Sequence, residues 1–380
     1  MLDYPTLRVI WWLLLGIVLI GFAIMDGFDL GSMALLPWVA RNDLEKRMMI
    51  NSIGPTWEGN QVWFILGGGA IFAAWPYLYA AAFSGFYLAM FIVLAAFILR
   101  PVSIKYRSKM PGKTWRNSWD ILLMLSGLIP ILVFGVAVGN VLLGVPFHFD
   151  EMMRFYYTGS FWQLFNPFSL LCGLLSVFML CMHGAIFLCN KTRDALQNRC
   201  RTAAICCAIL TFLLFFLNGI WVSRSVPGYV LLSATHMADP SNPLHKLMLI
   251  KPNVWFDNYQ LHPWWQIVPV SGLIGACATI LVVLSRCYKI AMVTSSICLA
   301  GIIATVGVST FPVLLPSSAN PSQSLLVWDA SSSQLTLWLM LCAGIVFLPI
   351  ILAYTTWVYR VMRGPITALF FDKKDSKNLY

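Results

Sequence analysis

Residues 9–37 read VIWWLLLGIVLIGFAIMDGFDLGSMALLP, an apolar stretch long enough to cross a bilayer, with Asp26 and Asp29 as its only charged residues. A charged side chain at the centre of a membrane helix costs about 2.5–3.5 kcal/mol on insertion scales, so acidic residues in spans rarely face lipid and often mark proton paths. Placed three positions apart, the two carboxyls project from neighbouring parts of one helix face. The stretch therefore predicts a membrane protein that moves protons or helps a partner to do so.

The rest of the chain continues this pattern. Of its 380 residues, 59% are hydrophobic and 11% are charged, and the mean hydropathy is +0.77. A soluble domain could not bury so much apolar surface. Segments close to the ~20 residues that a ~30 Å hydrocarbon core requires predict an all-α integral membrane protein of about nine spanning helices. These lie at 8–37, 61–75, 78–99, 121–143, 164–189, 203–222, 265–285, 290–314 and 335–359.

The net charge of +10 does not indicate a nucleic-acid partner, because the basic residues follow the membrane topology. Nine helices make successive loops alternate between the two sides, and most of the 25 basic residues then fall on one side. The positive-inside rule predicts a multi-pass membrane protein with its N-terminus on the outer side and its C-terminus in the cytoplasm. The outer side keeps Arg8, Arg154, Arg224, Lys246 and Lys251.

A weak internal repeat indicates how the helices are grouped. Met25-Asp26-Gly27 has a counterpart in Met182-His183-Gly184, on a helix that loop parity orients in the same direction. We interpret residues 1–380 as one polytopic domain with two four-helix units, 1–144 and 160–315, and a peripheral ninth helix at 335–360. The long outer loop 223–263 is the expected contact with a partner.

The two acids of the first span allow two interpretations. Gly27 and Gly31 form a G-x-x-x-G pattern that permits close helix approach, so Asp26 and Asp29 could merely hydrogen-bond across that contact. Two acids in one span, placed towards its cytoplasmic end, favour a proton path instead.

A second polar site begins at the predicted helix start Gly54-Pro55. Glu58 lies in the first turn, where a carboxylate is stabilised by the helix dipole, and that role alone could explain it. However, Asn60 and Trp63 belong to an unusually polar and aromatic membrane entry, NSIGPTWEGNQVW. Such an entry can hold water, so Glu58 is also a candidate proton relay.

Arg100 and Asp120 form a third candidate site at the cytoplasmic ends of neighbouring predicted helices. We expect the hairpin between them to bring the two side chains together, where they would influence ionisation of Asp29. The alternative is that Arg100 extends to the membrane surface and Asp120 caps a helix.

Metal and redox motifs are weak in this sequence. His183 is the only histidine deep in a predicted span, and Cys181-Met182-His183 lacks the first cysteine of a C-x-x-C-H haem site. We therefore predict that His183 is a hydrogen-bonded core residue and that the chain supplies no metal or haem ligands. Eight of the ten cysteines fall in apolar helices, so a disulfide framework is not expected.

The motifs together resemble subunit II of the bacterial cytochrome bd-type quinol oxidases, essentially from end to end. No single string decides the resemblance, but the ordered set does. It comprises RVIWWLLLGIVLIGFAIMDGFDLG (8–31), MINSIGPTWEGNQVWFILGGGAIFAAWPYLYAAAFSGFY (49–87), FILRPV (97–102), WRNSWD (115–120), GVPF (144–147), YYTGSFWQLFNPFSLL (156–171), SNPL (241–244), FPVLLPSS (311–318) and LLVWDASSSQLTLW (325–338).

The resemblance implies a subunit paired with a homologously folded subunit I that carries two b-type haems and one d-type haem. Such a complex oxidises quinol, reduces oxygen to water with cytoplasmic protons, and can include small single-helix subunits, bound lipid and a structural quinone. By the same resemblance, Asp29, Glu58, Arg100 and Asp120 match proton-route positions, to which the buried Asp26 is added. Trp63 matches a residue beside an oxygen channel.

A proton-coupled secondary transporter is the alternative from another functional class. Buried acids and an internal repeat occur in transporters as well. That interpretation leaves the resemblance along the whole chain unexplained. A purely scaffolding subunit is the limiting case of the oxidase interpretation.

Overall fold

The structure is a computed structural model that describes residues 2–233 and 237–366, and it is predominantly helical. In lipid, helices satisfy their backbone hydrogen bonds internally, which explains why long apolar segments fold this way. The helices are α1 (Tyr4–Met25), α2 (Gly27–Ala34), α3 (Leu36–Val39), α4 (Asp43–Ile53), α5 (Trp57–Ala74), α6 (Pro76–Gly85), α7 (Tyr87–Tyr106), α8 (Lys113–Leu143), α9 (Pro167–Lys191), α10 (Asp194–Ser225), α11 (Asp257–Leu261), α12 (Ile267–Leu284), α13 (Tyr288–Thr310) and α14 (Gln334–Val361).

Eight helices in the described part of the chain are long and apolar enough to cross a membrane, with α1 and α2 counted as one span. The remaining predicted span, 61–75, corresponds to α5, an 18-residue helix whose first turn is polar. The prediction of an all-α membrane protein of about nine helices is therefore confirmed. Several bounds differ from the prediction. α8 begins at Lys113 and not near 121, so Asp120 lies inside the helix. α10 begins at Asp194 and not near 203, and the predicted span 78–99 is divided between α6 and α7.

Side chains and prolines mark where the long helices begin. Asp3 accepts a hydrogen bond from the Thr6 amide and caps α1, and Asn166 caps α9 ahead of Pro167 at its first position. At the start of α14 the sequence suggests a capping box from Ser331 to Gln334. The structure corrects this, because Ser333 is the N-cap and accepts from the Thr336 amide.

α9 is the most enclosed of the long helices, packing against α2, α8, α10 and α13. By contrast, α14 packs on α1 and α5 and buries only Leu337 and Leu341. These contacts place α14 at the edge of the bundle. The division into two four-helix units at 1–144 and 160–315 stays a prediction.

Close packing of α2 on α9 depends on small residues. A Cβ added at Gly31 would overlap the Leu180 carbonyl oxygen, and one added at Gly184 would lie 2.5 Å from the Ser32 amide nitrogen. The expectation that the G-x-x-x-G pattern permits close helix approach is confirmed. This crossing holds α2, and with it Asp29, against the centre of the protein.

Short antiparallel strand pairs join the helices at the end that we predict to be the outer one. The pairs are β1 (Phe147–Phe149) with β2 (Phe155–Tyr157), β3 (Pro227–Leu231) with β4 (Met248–Pro252), and β5 (Val313–Leu315) with β6 (Leu325–Leu326). The long outer loop therefore contains a hairpin and α11. It packs on its own chain, since the guanidinium of Arg8 donates to the carbonyl oxygens of Met237 and Asp239.

Candidate functional site

Asp26 and Asp29 flank the start of α2, and both are fully buried. Asp26 forms an ion pair with Arg100 of α7, whose Nη1 and Nη2 atoms lie 2.8 and 3.4 Å from the two carboxylate oxygens. The Arg100 guanidinium also lies over the Phe97 ring, 4.9 Å from its centre. The charge of Asp26 is thus balanced locally by a bidentate arginine, the strongest geometry for such a pair.

Asp29 has a different environment. Its Oδ2 atom accepts a hydrogen bond from Asn60 Nδ2 at 2.6 Å. Within the part of the chain that the structure describes, its buried Oδ1 atom has no hydrogen-bond partner. Asn60 in turn accepts a hydrogen bond at Oδ1 from the Tyr359 hydroxyl, also at 2.6 Å. A proton can therefore occupy Oδ1 of Asp29 without breaking an existing hydrogen bond.

Asp120 belongs to a separate cluster of charges near the end of α7. Its carboxylate accepts from Arg107 Nε at 2.5 Å and from Lys46 Nζ at 2.9 Å. Asp43 joins the cluster by pairing with Arg107 and Arg116. Burial acts to lower the pKa of Arg107, but the ion pairs with Asp120 and Asp43 outweigh it, so that pKa lies above its ordinary value.

The expectation that Arg100 and Asp120 meet is wrong. Arg100 points into the bundle, towards Asp26, and it is Arg107 that reaches Asp120. Both alternatives also fail. Arg100 is fully buried and does not extend to the membrane surface, and Asp120 lies in the interior of α8 and does not cap it.

Glu58 lies in the first turn of α5, as predicted, two positions after the N-cap residue Thr56. Its side chain is exposed. Among the described residues, no group forms a hydrogen bond or ion pair with its carboxylate. It precedes Asn60 by two positions on the same helix.

Trp63 lines a groove that opens on the side of the bundle. The groove has a volume of about 460 Å³, and its walls come from α1, α5 and α14, including Met25, Tyr359 and Arg360. Trp63 packs closely on α1, because a Cβ added at Gly21 would lie 2.6 Å from the indole ring.

His183 is a hydrogen-bonded core residue, as predicted. It is fully buried, with Nδ1 2.8 Å from Ser295 Oγ and Nε2 3.0 Å from the Ile24 carbonyl oxygen. Both ring nitrogens are thus engaged, and His148, His245 and His262 lie in segments outside the long helices. No group of three metal-ligating His, Cys, Asp or Glu side chains occurs among the described residues.

Sequence reasoning singled out Asn60 only as one polar residue of a membrane entry, and it missed Tyr359 and Arg107. Tyr359 lies 299 positions from its partner Asn60. No local pattern signals a contact at that separation. Arg107 lies seven positions after Arg100, near the start of the hairpin that joins α7 to α8. The sequence places several basic residues in this hairpin, but it does not show which arginine faces Asp120.

Comparison with known proteins defines the class. Residues 7–362 match the family described as cytochrome bd terminal oxidase subunit II. The chain belongs to this family, as the sequence resemblance predicted.

Individual relatives support this assignment. The chain is 48% identical over 367 residues to cytochrome bd-I ubiquinol oxidase subunit 2 of Escherichia coli strain K12, covering 97% of each chain. It is also 48% identical over 373 residues to the probable cytochrome oxidase subunit 2 of Haemophilus influenzae, covering 98% of each. A chain of the bd oxidase from Geobacillus thermodenitrificans shares the fold, with a TM-score of 0.69 at 18% identity, covering 97% of this chain and 100% of that one.

Proposed function

We propose that this chain is the subunit without haem ligands of a membrane complex that oxidises quinol and reduces oxygen to water. The observation that carries the proposal is the family match over residues 7–362, together with 48% identity to a ubiquinol oxidase subunit along nearly the whole chain. Among the histidines that the structure describes, only His183 lies within a long helix, and it is engaged at both nitrogens, which is consistent with haems held by another subunit.

The partner is a haem-bearing subunit I, with two b-type haems and one d-type haem. When bound there, these groups supply the electron transfer and oxygen chemistry of the complex. Quinol and oxygen are its substrates. Small single-helix subunits, lipid and a structural quinone complete the proposed assembly, which lies in the bacterial inner membrane with a periplasmic N-terminus and a cytoplasmic C-terminus.

The contribution of this chain to the reaction is proton uptake from the cytoplasm. We assign the central position to Asp29, because its Oδ1 atom can accept a proton without loss of a hydrogen bond. Asp26 and Arg100 supply a neutralised ion pair beside it. Asp120, held by Lys46 and Arg107, places a charged cluster near the cytoplasmic entrance. Glu58 is the exposed carboxylate that passes protons between this chain and its partner.

Oxygen access is the second contribution. The groove beside Trp63 is about 460 Å³ in volume, and oxygen is a small apolar molecule that is more soluble in lipid than in water. The Trp63 indole lines this groove and packs against α1 at Gly21. We propose that oxygen passes beside this side chain from the membrane towards the partner subunit.

An optical spectrum of the purified complex tests the proposal. The tagged chain, isolated from its native membrane in mild detergent, is expected to co-purify with b- and d-type haem bands in the reduced-minus-oxidised difference spectrum. It should also consume oxygen when a quinol is added. A stable, colourless single chain without oxygen uptake would contradict the proposal and favour the proton-coupled transporter.

A further inference from the structure

Asn60 and Tyr359 form a continuous hydrogen-bonded chain with Asp29. The Tyr359 hydroxyl donates to Asn60 Oδ1, and Asn60 Nδ2 donates to Asp29 Oδ2, each at 2.6 Å. An amide oxygen only accepts hydrogen bonds and an amide nitrogen only donates them. The tyrosine hydroxyl therefore fixes the orientation of the amide, and the amide fixes the carboxylate.

This chain crosses three elements that are distant in sequence. Asp29 belongs to α2, Asn60 to α5 and Tyr359 to the last turns of α14. Asp29 is fully buried and Asn60 is 1% exposed, so water competes little for the bond between these two side chains. Tyr359 also forms part of the wall of the groove that contains Trp63. The edge helix α14 thereby reaches the buried acid through a single side chain.

The contrast with Asp26 shows what the amide provides. Asp26 is positioned by the Arg100 guanidinium, which contacts both carboxylate oxygens. Asp29 is positioned at Oδ2 alone, and its Oδ1 atom remains available. A neutral donor at one oxygen orients the carboxyl group without adding the positive charge that would hold it permanently ionised.

We propose that Asn60 and Tyr359 are positioning residues of the proton route, which hold the Asp29 carboxyl group so that its free oxygen exchanges protons in a fixed orientation. This inference rests on the proposed proton role of Asp29. It assigns a function to the last helix, most of whose side chains are exposed in this chain.

The test compares quinol-driven oxygen consumption in variants of the complete complex, each normalised to haem content. Tyr359→Phe removes one neutral hydrogen bond and is expected to lower turnover about two- to tenfold, and Asn60→Leu about tenfold or more. Tyr354→Phe is the matched control, because Tyr354 lies on the same helix but is exposed, and turnover should be unchanged.

Two further readouts separate positioning from a general structural effect. In an Asp29→Asn background, Tyr359→Phe should cause no additional loss, because its effect passes through Asp29. In infrared difference spectra, the carboxyl band that disappears in Asp29→Asn should shift in Tyr359→Phe and stay in place in Tyr354→Phe.

The outcomes separate the proton role of Asp29 from the positioning role of Asn60 and Tyr359. Wild-type turnover in Asp29→Asn would remove Asp29 from the route, and the proposed proton role of that residue would fail. Slow turnover in Asp29→Asn, combined with wild-type turnover and an unshifted band in Tyr359→Phe, would overturn the positioning role alone. A further loss of turnover when Tyr359→Phe is added to Asp29→Asn would also overturn the positioning role.

Discussion

Arg100 Nη1 donates a hydrogen bond to Asp26 Oδ1 at 2.8 Å, and neither side chain has any solvent exposure. This pair joins α7 to the junction between α1 and α2. One turn further along, Asp29 has an amide partner and no cation contacting it. The two acids of the first span therefore have different surroundings, and we propose a chiefly structural role for Asp26 and a proton-carrying role for Asp29.

The Asp26–Arg100 pair predicts that a single variant is much less stable than the double variant. Arg100→Leu leaves the buried Asp26 without its cation, and the loss of one partner of a buried pair typically costs about 3–5 kcal/mol. In the double variant with Asp26→Asn, no charge is left unpaired, and most of this loss should be recovered. The measurement is the apparent unfolding temperature of the haem-containing complex in detergent. Equal instability of the single and double variants would show that the pair does not behave as a unit.

Glu58→Gln tests the exposed end of the proposed proton route. The amide keeps the size and polarity of the side chain but cannot carry a proton, so quinol-driven oxygen consumption should fall at least about tenfold. Haem content should be unchanged, because Glu58 makes no ion pair among the described residues. Glu151→Gln, at an exposed turn of an outer connection, is the matched control. Unchanged turnover in Glu58→Gln would exclude Glu58 from the route.

The sequence predicted the burial of Asp26 and Asp29, the close approach at Gly31 and the hydrogen-bonded state of His183. These follow from local chemistry: a charge in an apolar span must face the protein interior, and small residues permit close contact. It did not predict which arginine pairs with which acid. In a helix as uniformly apolar as α7, hydropathy does not fix which face points inward. The pairing of Tyr359 with Asn60 depends on tertiary packing alone.

Gly31→Ala should disrupt the packing of α2 on α9. The added methyl group would overlap the backbone carbonyl oxygen of Leu180, which cannot move without shifting α9. Overpacking of this kind costs about 1–3 kcal/mol, and more where backbone must move. We expect a lower yield of assembled complex and a lower apparent unfolding temperature. Gly68→Ala is the control, because nothing lies within 4 Å of its Cβ position. Equal behaviour of the two variants would contradict the close crossing.

A buried ion pair outside the spanning helices gives a pH-dependent prediction. Lys246 Nζ lies 2.6 Å from Asp329 Oδ2, and both side chains are largely buried. Burial raises the pKa of the Asp329 carboxyl above its ordinary value of 3.8, although Lys246 opposes this rise. Burial likewise lowers the pKa of Lys246. Each group is thus harder to ionise in the folded protein than in the unfolded chain.

Lys246→Met should therefore destabilise the protein more at neutral pH than in mild acid. Without the lysine, the pKa of Asp329 rises further above its unfolded value, so its ionisation opposes folding. Stability then falls as the pH rises through the interval between the two pKa values, and it recovers when acid protonates the carboxyl group. The measurement is the apparent unfolding temperature at pH 7 and pH 5, with the exposed Lys251→Met as control. A loss of equal size at both pH values would show that Asp329 is not the group responsible, and combining Lys246→Met with Asp329→Asn should abolish the pH dependence.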